Sequence, residues 1–174
     1  MNYMLSPKIA IITGYAGAGK SSLANEIAKM LGRNVIEVGN AVRAAHREAN
    51  SNLTLVEYAD KQFSEKGSTC FIRSAVADCV HDSLIVGIRR PEELDWLIAN
   101  YKSVIVIWID TPIRERRKRA AISGKGGSQY LRMREKIEEG WGLESLRDRG
   151  DVVLDGSKST KELVMEVLEW LSSK

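Results

Sequence analysis

The stretch Lys8-Ile9-Ala10-Ile11-Ile12-Thr13-Gly14-Tyr15-Ala16-Gly17-Ala18-Gly19-Lys20-Ser21-Ser22 decides how this chain is read. An apolar run of strand character ends in the spacing G-x-x-x-x-G-K-S. A helical pattern follows at once, with Leu23, Ile27, Ala28, Met30 and Leu31 on one side. Strand, glycine-rich loop and helix form the context in which that spacing has a chemical meaning. Gly14, Gly17 and Gly19 let the loop bend so that backbone N–H groups point inward. Those donors and the positive end of the helix make a cradle for polyphosphate. The cradle comprises Gly14, Ala16, Gly17, Ala18, Gly19, Lys20, Ser21 and Ser22. Lys20 is placed to reach the β- and γ-phosphates, and the Ser21 hydroxyl to ligate Mg²⁺. The expectation is a protein that binds a nucleoside triphosphate.

Length and composition bound the rest. A chain of 174 residues fits one domain over 1–174, and a chain of this size buries enough surface to need no covalent staples. Cys70 and Cys79 form neither a metal-binding spacing nor a disulfide framework, which fits reduced thiols in a cytoplasmic protein. His46 and His81 lack partners at ligand spacing and read as surface or helix-end residues. No apolar run of about twenty residues is present, so no membrane span is expected, and Met1 to Pro7 do not resemble a signal peptide. The net charge of +3 is small but unevenly spread. Between Arg114 and Lys136 lie nine basic residues against only Glu115 and Glu135, a density that points to an anionic partner.

Along the chain, strand and helix patterns alternate. Asn34 to Val38 is a second strand, and Asn40 is a candidate N-cap for the helix that follows. Thr54 with Glu57 forms a capping-box pattern for a helix ending near Gly67, and Ser68 is expected to open another. Leu84 to Ile88 is a third strand, and Pro91 with Glu92 and Glu93 begins a helix suited to the dipole. Ser103 to Asp110 is a fourth strand. Pro112 opens an arginine-rich helix that breaks at Ser123 to Ser128, and a charged helix runs from Gln129 to Glu139. Val152 to Leu154 is a fifth strand and Thr160 to Leu171 a closing helix. Strands without polar residues, alternating with helices, predict an α/β fold: a five-stranded parallel sheet covered on both faces, with a small lid over about 114–140.

Ligands of such sheets gather at the carboxyl ends of the strands. There the sequence places the glycine loop, then Gly39 and Arg43, then Arg89 and Arg90, then Asp110 and the basic helix. Arginine suits bidentate phosphate contacts, and three sets after three strands exceed what one triphosphate needs. Arg116, Arg117, Lys118 and Arg119 cover a full helical turn, so some of them face solvent. Aromatic residues for stacking on a single strand are not interleaved among them, which disfavours nucleic acid as the partner. Trp96, Trp108 and Trp170 read as core; Trp141 reads either as a base contact or as an anchor of the lid.

The ordered pattern resembles the nucleoside monophosphate kinase group of P-loop proteins, closest to its adenylate-kinase-related and dephospho-CoA-kinase-like branch, over nearly the whole chain. Gly14 to Ser21 matches the phosphate loop. Val38-Gly39-Asn40-Ala41-Val42-Arg43 looks like that group's Gly-Asp-x-x-Arg segment, and Val86-Gly87-Ile88-Arg89 resembles its Asp-Gly-Ile-Arg. Arg73 lies where related proteins carry a further basic residue. Pro112, Arg116 and Arg119 are similar to the start of the lid helix, and Arg132 or Arg134 to its return. The resemblance implies ATP and Mg²⁺ as cofactors and a small phosphorylated acceptor held by Gly39, Arg43, Arg73 and Arg89. It also implies Lys20, Arg116, Arg119 and Arg132 as the catalytic set around the migrating phosphoryl group. Asp151 to Ser157 looks like the last strand and the loop near the nucleotide base. Two departures stand out: Val86 replaces an Asp of the Mg²⁺ shell, for which Asp110 is the candidate surrogate beside Ser21, and Asn40 replaces an acceptor-segment Asp. The alternatives are a kinase acting on a hydroxyl, of the dephospho-CoA type, and a nucleotide-binding switch or ATPase with weak catalysis. No Asn-Lys-x-Asp segment supports a GTPase.

Overall fold

Burial on both faces is what the strand sequences demand, and the sheet supplies it. The computed structural model describes residues 9–77, 82–123 and 127–174; Lys8, Cys79, His81 and the centre of the expected lid break, 124–126, lie outside the described residues. The strands are β1 (Ile9–Thr13), β2 (Val35–Glu37), β3 (Leu84–Val86), β4 (Val104–Asp110) and β5 (Val152–Asp155). All described pairs are parallel, in the order β2-β3-β1-β4-β5. Side chains alternate across the pleat. Ile9 and Ile11 of β1 therefore enter one core layer, with Ile85, Val106 and Trp108. Ala10 and Ile12 enter the opposite layer, with Leu84, Val86, Ile105, Ile107 and Ile109.

Two helices cover the second layer. Helix α1 (Lys20–Leu31) turns Leu23, Ala24, Ile27 and Ala28 inward, and α9 (Thr160–Ser172) contributes Leu163, Val164, Val167 and Leu168. The spacing i, i+1, i+4, i+5 gives each helix one apolar stripe. The first layer is covered by α2 (Val38–Glu48), α3 (Leu55–Lys66), α4 (Cys70–Ala75) and α5 (Pro91–Asn100), joined by Trp141, Leu143 and Leu146. Two further helices, α6 (Ile113–Ser123) and α7 (Ser128–Gly140), pack on the glycine loop through Ala16, Ala120 and Leu131.

The caps explain most boundaries. Thr54 and Ser159 form capping boxes with Glu57 and Glu162, and Gly32 closes α1 at φ 63. Helix α1 starts differently. Its N-cap is Gly19, left-handed at φ 100 with no side-chain cap, so the first-turn N–H groups stay available to an anion. Two expected starts move. Asn40 is not an N-cap, because α2 already begins at Val38 after extended Glu37; its side chain instead accepts from Arg43 Nη2 at 2.5 Å. The helix expected from Ser68 begins at Cys70 after Thr69 and is only six residues long. A short helix, α8 (Ser145–Asp148), appears in a stretch without apolar periodicity.

Gly156, after β5, is the most closely packed of the described glycines: a Cβ there would lie 1.7 Å from Thr111 Oγ1 and 2.8 Å from Ile109 Cγ2. Gly156→Ala is expected to cost about 1–3 kcal/mol of stability, read as a lower urea midpoint with an unchanged denaturant slope.

Candidate functional site

The loop between β1 and α1 holds its own lysine. Lys20 is 8% exposed, and its Nζ donates to Gly14 O at 2.8 Å and Tyr15 O at 2.7 Å. An ammonium carries three protons, so one donor remains after these two bonds. Arg89, just past β3, donates from Nη1 to the same Gly14 oxygen at 2.9 Å. Two cations thus converge on one carbonyl. Burial first, then the charge of Arg89, holds the Lys20 pKa well below its ordinary value, while Glu138 opposes the shift. Burial likewise lowers Arg89, again against Glu138.

The counter-charge comes from α7. Glu138 is fully buried. Its Oε1 lies 3.3 Å from Arg89 Nη1 and 3.0 Å from Arg134 Nη2, and its Oε2 accepts from the Ala16 N–H at 3.3 Å. Burial alone would raise its pKa, but Arg89, Arg134 and Lys20 outweigh burial and hold it below the usual carboxylate value. Leu131, Arg134 and Glu138 share a face because they sit at i, i+3 and i+7.

The arginine-rich helix divides by the same rule. Arg116, Arg119 and Ala120 turn toward the loop, while Arg114 and Lys118 face solvent. Arg116 is 4% exposed; it donates to Thr111 O at 3.0 Å and Ala16 O at 3.4 Å, and pairs with Glu135 of α7. Arg119 bridges Ala18 O at 3.0 Å and Gly156 O at 2.6 Å. Tyr15, at the loop crest, lies under the Arg116 guanidinium at 4.9 Å, meets the Trp108 ring edge-on and donates to Glu144 at 2.6 Å. Burial and Glu144 raise its phenol pKa further, so it stays protonated.

The described residues therefore bring together Lys20, Arg89, Arg116, Arg119 and Arg134 around the loop. Ser21, at the start of α1, is half-buried, and its hydroxyl has no hydrogen-bond partner among the described residues, which leaves it available to a cation; Ser22 is exposed. Asp110 does not join this group. Its carboxylate is taken by Arg147 at 2.9 Å and lines a cavity of about 340 Å³ with Pro112, Val153, Leu154 and Asp155. The residue that turns to the loop is its neighbour Thr111, whose hydroxyl donates to Ala18 O at 3.0 Å; successive residues of extended chain face opposite ways. Val86 is buried in the apolar layer, so no carboxylate stands at that strand end.

Arg132 also falls outside the group. It is exposed on α7, about 100° around the helix from Leu131, and Arg134 occupies the inward position in its place. On the acceptor side, the Arg43 guanidinium folds over Gly39 and pairs with Glu37 at 3.4 Å. Arg73 is exposed on α4, and its guanidinium makes no ion pair or hydrogen bond among the described residues. Trp141 serves as an anchor: its Nε1 donates to Asp60 at 2.7 Å and its ring meets Phe63 edge-on. His46 meets Leu53 O at 2.8 Å.

Sequence reading passed over Glu138, Tyr15 and Glu93. For Glu138 the signal was present in the i, i+4 spacing from Arg134; for Glu93 only its helix-starting role was legible. The Glu93 carboxylate is 1% exposed and accepts the N–H groups of Arg89 at 2.6 Å and Arg90 at 3.0 Å, which fixes the Arg89 backbone. Burial pushes its pKa up from 4.5 to about 7. The folded state then holds a proton that the unfolded chain has lost between about pH 4.5 and 7, so stability falls as pH rises through that window. Glu93→Gln is expected to flatten this slope, measured by chemical denaturation at a series of pH values. Between the two arginines of α7, Arg134→Ala is expected to weaken ATP binding severalfold while Arg132→Ala leaves it within about twofold, by titration calorimetry.

The sequence model of the shikimate kinase family matches residues 16–172. A UPF0200 protein of Methanoculleus marisnigri is 26% identical over 171 residues, covering 92% of this chain and 93% of its own. One of Methanoregula boonei is 26% identical over 174 residues, covering 93% and 94%. Among solved structures, shikimate kinase from Acinetobacter baumannii in complex with shikimate aligns with a TM-score of 0.63 at 17% identity, over 96% of this chain and 93% of its own. A gluconokinase from Sinorhizobium meliloti aligns at 0.61 and 17%, over 96% and 93%; at such identity these two speak for the fold. Kinases of this kind use ATP and Mg²⁺, and the uncapped start of α1, the Lys20 ammonium and the Ser21 hydroxyl fit them. With its five-stranded parallel sheet, its phosphate loop and a family match over nine-tenths of its length, the chain belongs to the shikimate kinase family of P-loop kinases.

Proposed function

We propose that this P-loop kinase transfers the γ-phosphoryl group of ATP to a small acceptor that is itself phosphorylated, a nucleoside monophosphate being the leading candidate. The observation that carries the reading is the shared carbonyl. Lys20 Nζ and Arg89 Nη1 both donate to Gly14 O, at 2.8 and 2.9 Å, so the donor-side lysine and the first cation expected on the acceptor side meet at one atom. Cations so joined bring two anions together against their repulsion, which is the main task in phosphoryl transfer. In this reading Lys20, Arg116, Arg119 and Arg134 neutralise the triphosphate, while Arg89, Arg43 and Arg73 with Gly39 receive the acceptor. Mg²⁺, held through Ser21, supplies further charge neutralisation on the phosphate oxygens. The helices α6 and α7 cover the loop and exclude water from it. An acceptor phosphate is already anionic, so no general base is needed, in keeping with Val86 at the third strand end.

A second reading, transfer to a hydroxyl of an acidic or sugar-like molecule, is favoured by the family match itself. It shares the donor half of the site and differs only in what meets Arg89, Arg43 and Arg73.

The two part in an ADP-release screen of the purified protein with nucleoside monophosphates, dephospho-CoA, shikimate and gluconate. Stimulation by a nucleoside monophosphate is the expected result; stimulation by shikimate or gluconate alone selects the second reading, and flat background hydrolysis with every acceptor makes the protein a nucleotide-binding switch. With the stimulating acceptor, Lys20→Ala is expected to lower turnover by about a hundredfold or more with the circular dichroism spectrum unchanged.

A further inference from the structure

Glu138 stands fully buried against the phosphate loop. A buried carboxylate carries a desolvation penalty that its ion pairs rarely exceed, so such a pair is weak grounds for a purely stabilising role. Its surroundings are those of an oxyanion: a loop N–H from Ala16 on Oε2, the guanidiniums of Arg89 and Arg134 on Oε1, and the Lys20 charge nearby. The donors also outnumber what a carboxylate can use. Lys20 keeps one proton beyond its bonds to Gly14 and Tyr15, and Arg134 Nε is buried without a partner among the described residues. A phosphoryl group, with three terminal oxygens and up to two negative charges, satisfies such a set better than a carboxylate with two oxygens and one charge.

We propose that Ala16 N–H, Arg89 and Arg134 form an anion seat which Glu138 fills as a resident placeholder, and that a phosphoryl group of the bound ligand takes this seat by displacing the carboxylate. The inference rests on the nucleotide-binding reading of the loop and deepens it. With the seat filled from within, one negative charge offsets part of the positive charge of Lys20, Arg89 and Arg134 while the site awaits its ligand. The displaced carboxylate swings out with the last turn of α7 alone, while Arg134, one turn earlier, stays in the seat. Trp141, three residues further on and tied to Asp60 at 2.7 Å, sits at the pivot. Loading of the seat and movement of the helix over it become one event.

The test compares binding of the β,γ-imido analogue of ATP with Mg²⁺ to the wild-type protein, Glu138→Gln and Lys20→Ala by titration calorimetry. An amide is a weaker competitor for two guanidiniums than a carboxylate, so Glu138→Gln is expected to bind the analogue roughly tenfold more tightly. Lys20→Ala is expected to lose binding. Equal or weaker affinity in Glu138→Gln overturns the placeholder and leaves the nucleotide-binding reading standing; no binding by either wild-type or Glu138→Gln removes both. Should Glu138→Gln fail to fold, the wild-type protein alone decides. Hydrogen exchange of the α7 amides around Glu138 is expected to speed up on adding the analogue, with a shift in Trp141 emission that is absent from Trp141→Phe. Slower or unchanged exchange there overturns the proposal.

Discussion

Mutual repulsion among cations is the constraint this structure is built around. Lys20, Arg89, Arg116 and Arg134 crowd one small volume at the carboxyl ends of β1 and β3. In isolation such a group would not stay folded inward, since like charges at close range repel. Backbone carbonyls of the loop, at Gly14, Tyr15, Ala16 and Ala18, absorb part of this charge. The carboxylates of Glu135 and Glu138 absorb the rest. The sheet sets the stage for this balance: parallel strands point all their carboxyl ends one way, so residues distant in sequence become neighbours without any strand needing polar residues along its length.

The helices α6 and α7 then take on a double role. They cover the loop through Ala16, Ala120 and Leu131, and they carry both the last cations and their counter-ions. A cover that carries charge of both signs responds to what lies beneath it. Replacing an internal carboxylate by an external phosphate alters the electrostatics of the whole cover, in a way that a purely apolar lid would not feel.

Much of this was legible in the chain. The phosphate loop, the five strands and the cap at Thr54 follow from period, spacing and turn chemistry, while the inward Arg116 and Arg119 came from the resemblance to the nucleoside monophosphate kinase group. What escaped has physical reasons. Asn40 favours caps in general, yet the backbone turned into helix two residues earlier and freed its amide for Arg43. Asp110 sits at the right strand end but on the wrong side of the pleat, where Arg147 from a short, aperiodic helix meets it. The choice between Arg132 and Arg134 turns on helix phase, and phase depends on where α7 begins. That start follows a glycine run whose length gives no angular information. Glu138 was passed over for a different reason: its i, i+4 spacing from Arg134 shows a pair, but such a pair in a basic helix reads as a surface neutraliser, and only three-dimensional placement puts it underneath.

The phase of α7 carries one more implication. Leu131, Arg134 and Glu138 act on a single face only because seven residues separate the first from the last, close to two turns. An insertion or deletion of one residue between them would rotate the carboxylate by about 100° and turn it out into water. Length differences among homologous chains should therefore collect in the glycine-rich connection before this segment, while the interval from the leucine to the glutamate keeps a fixed count, so that indel position alone would reveal which helix turn evolution has treated as part of the machine.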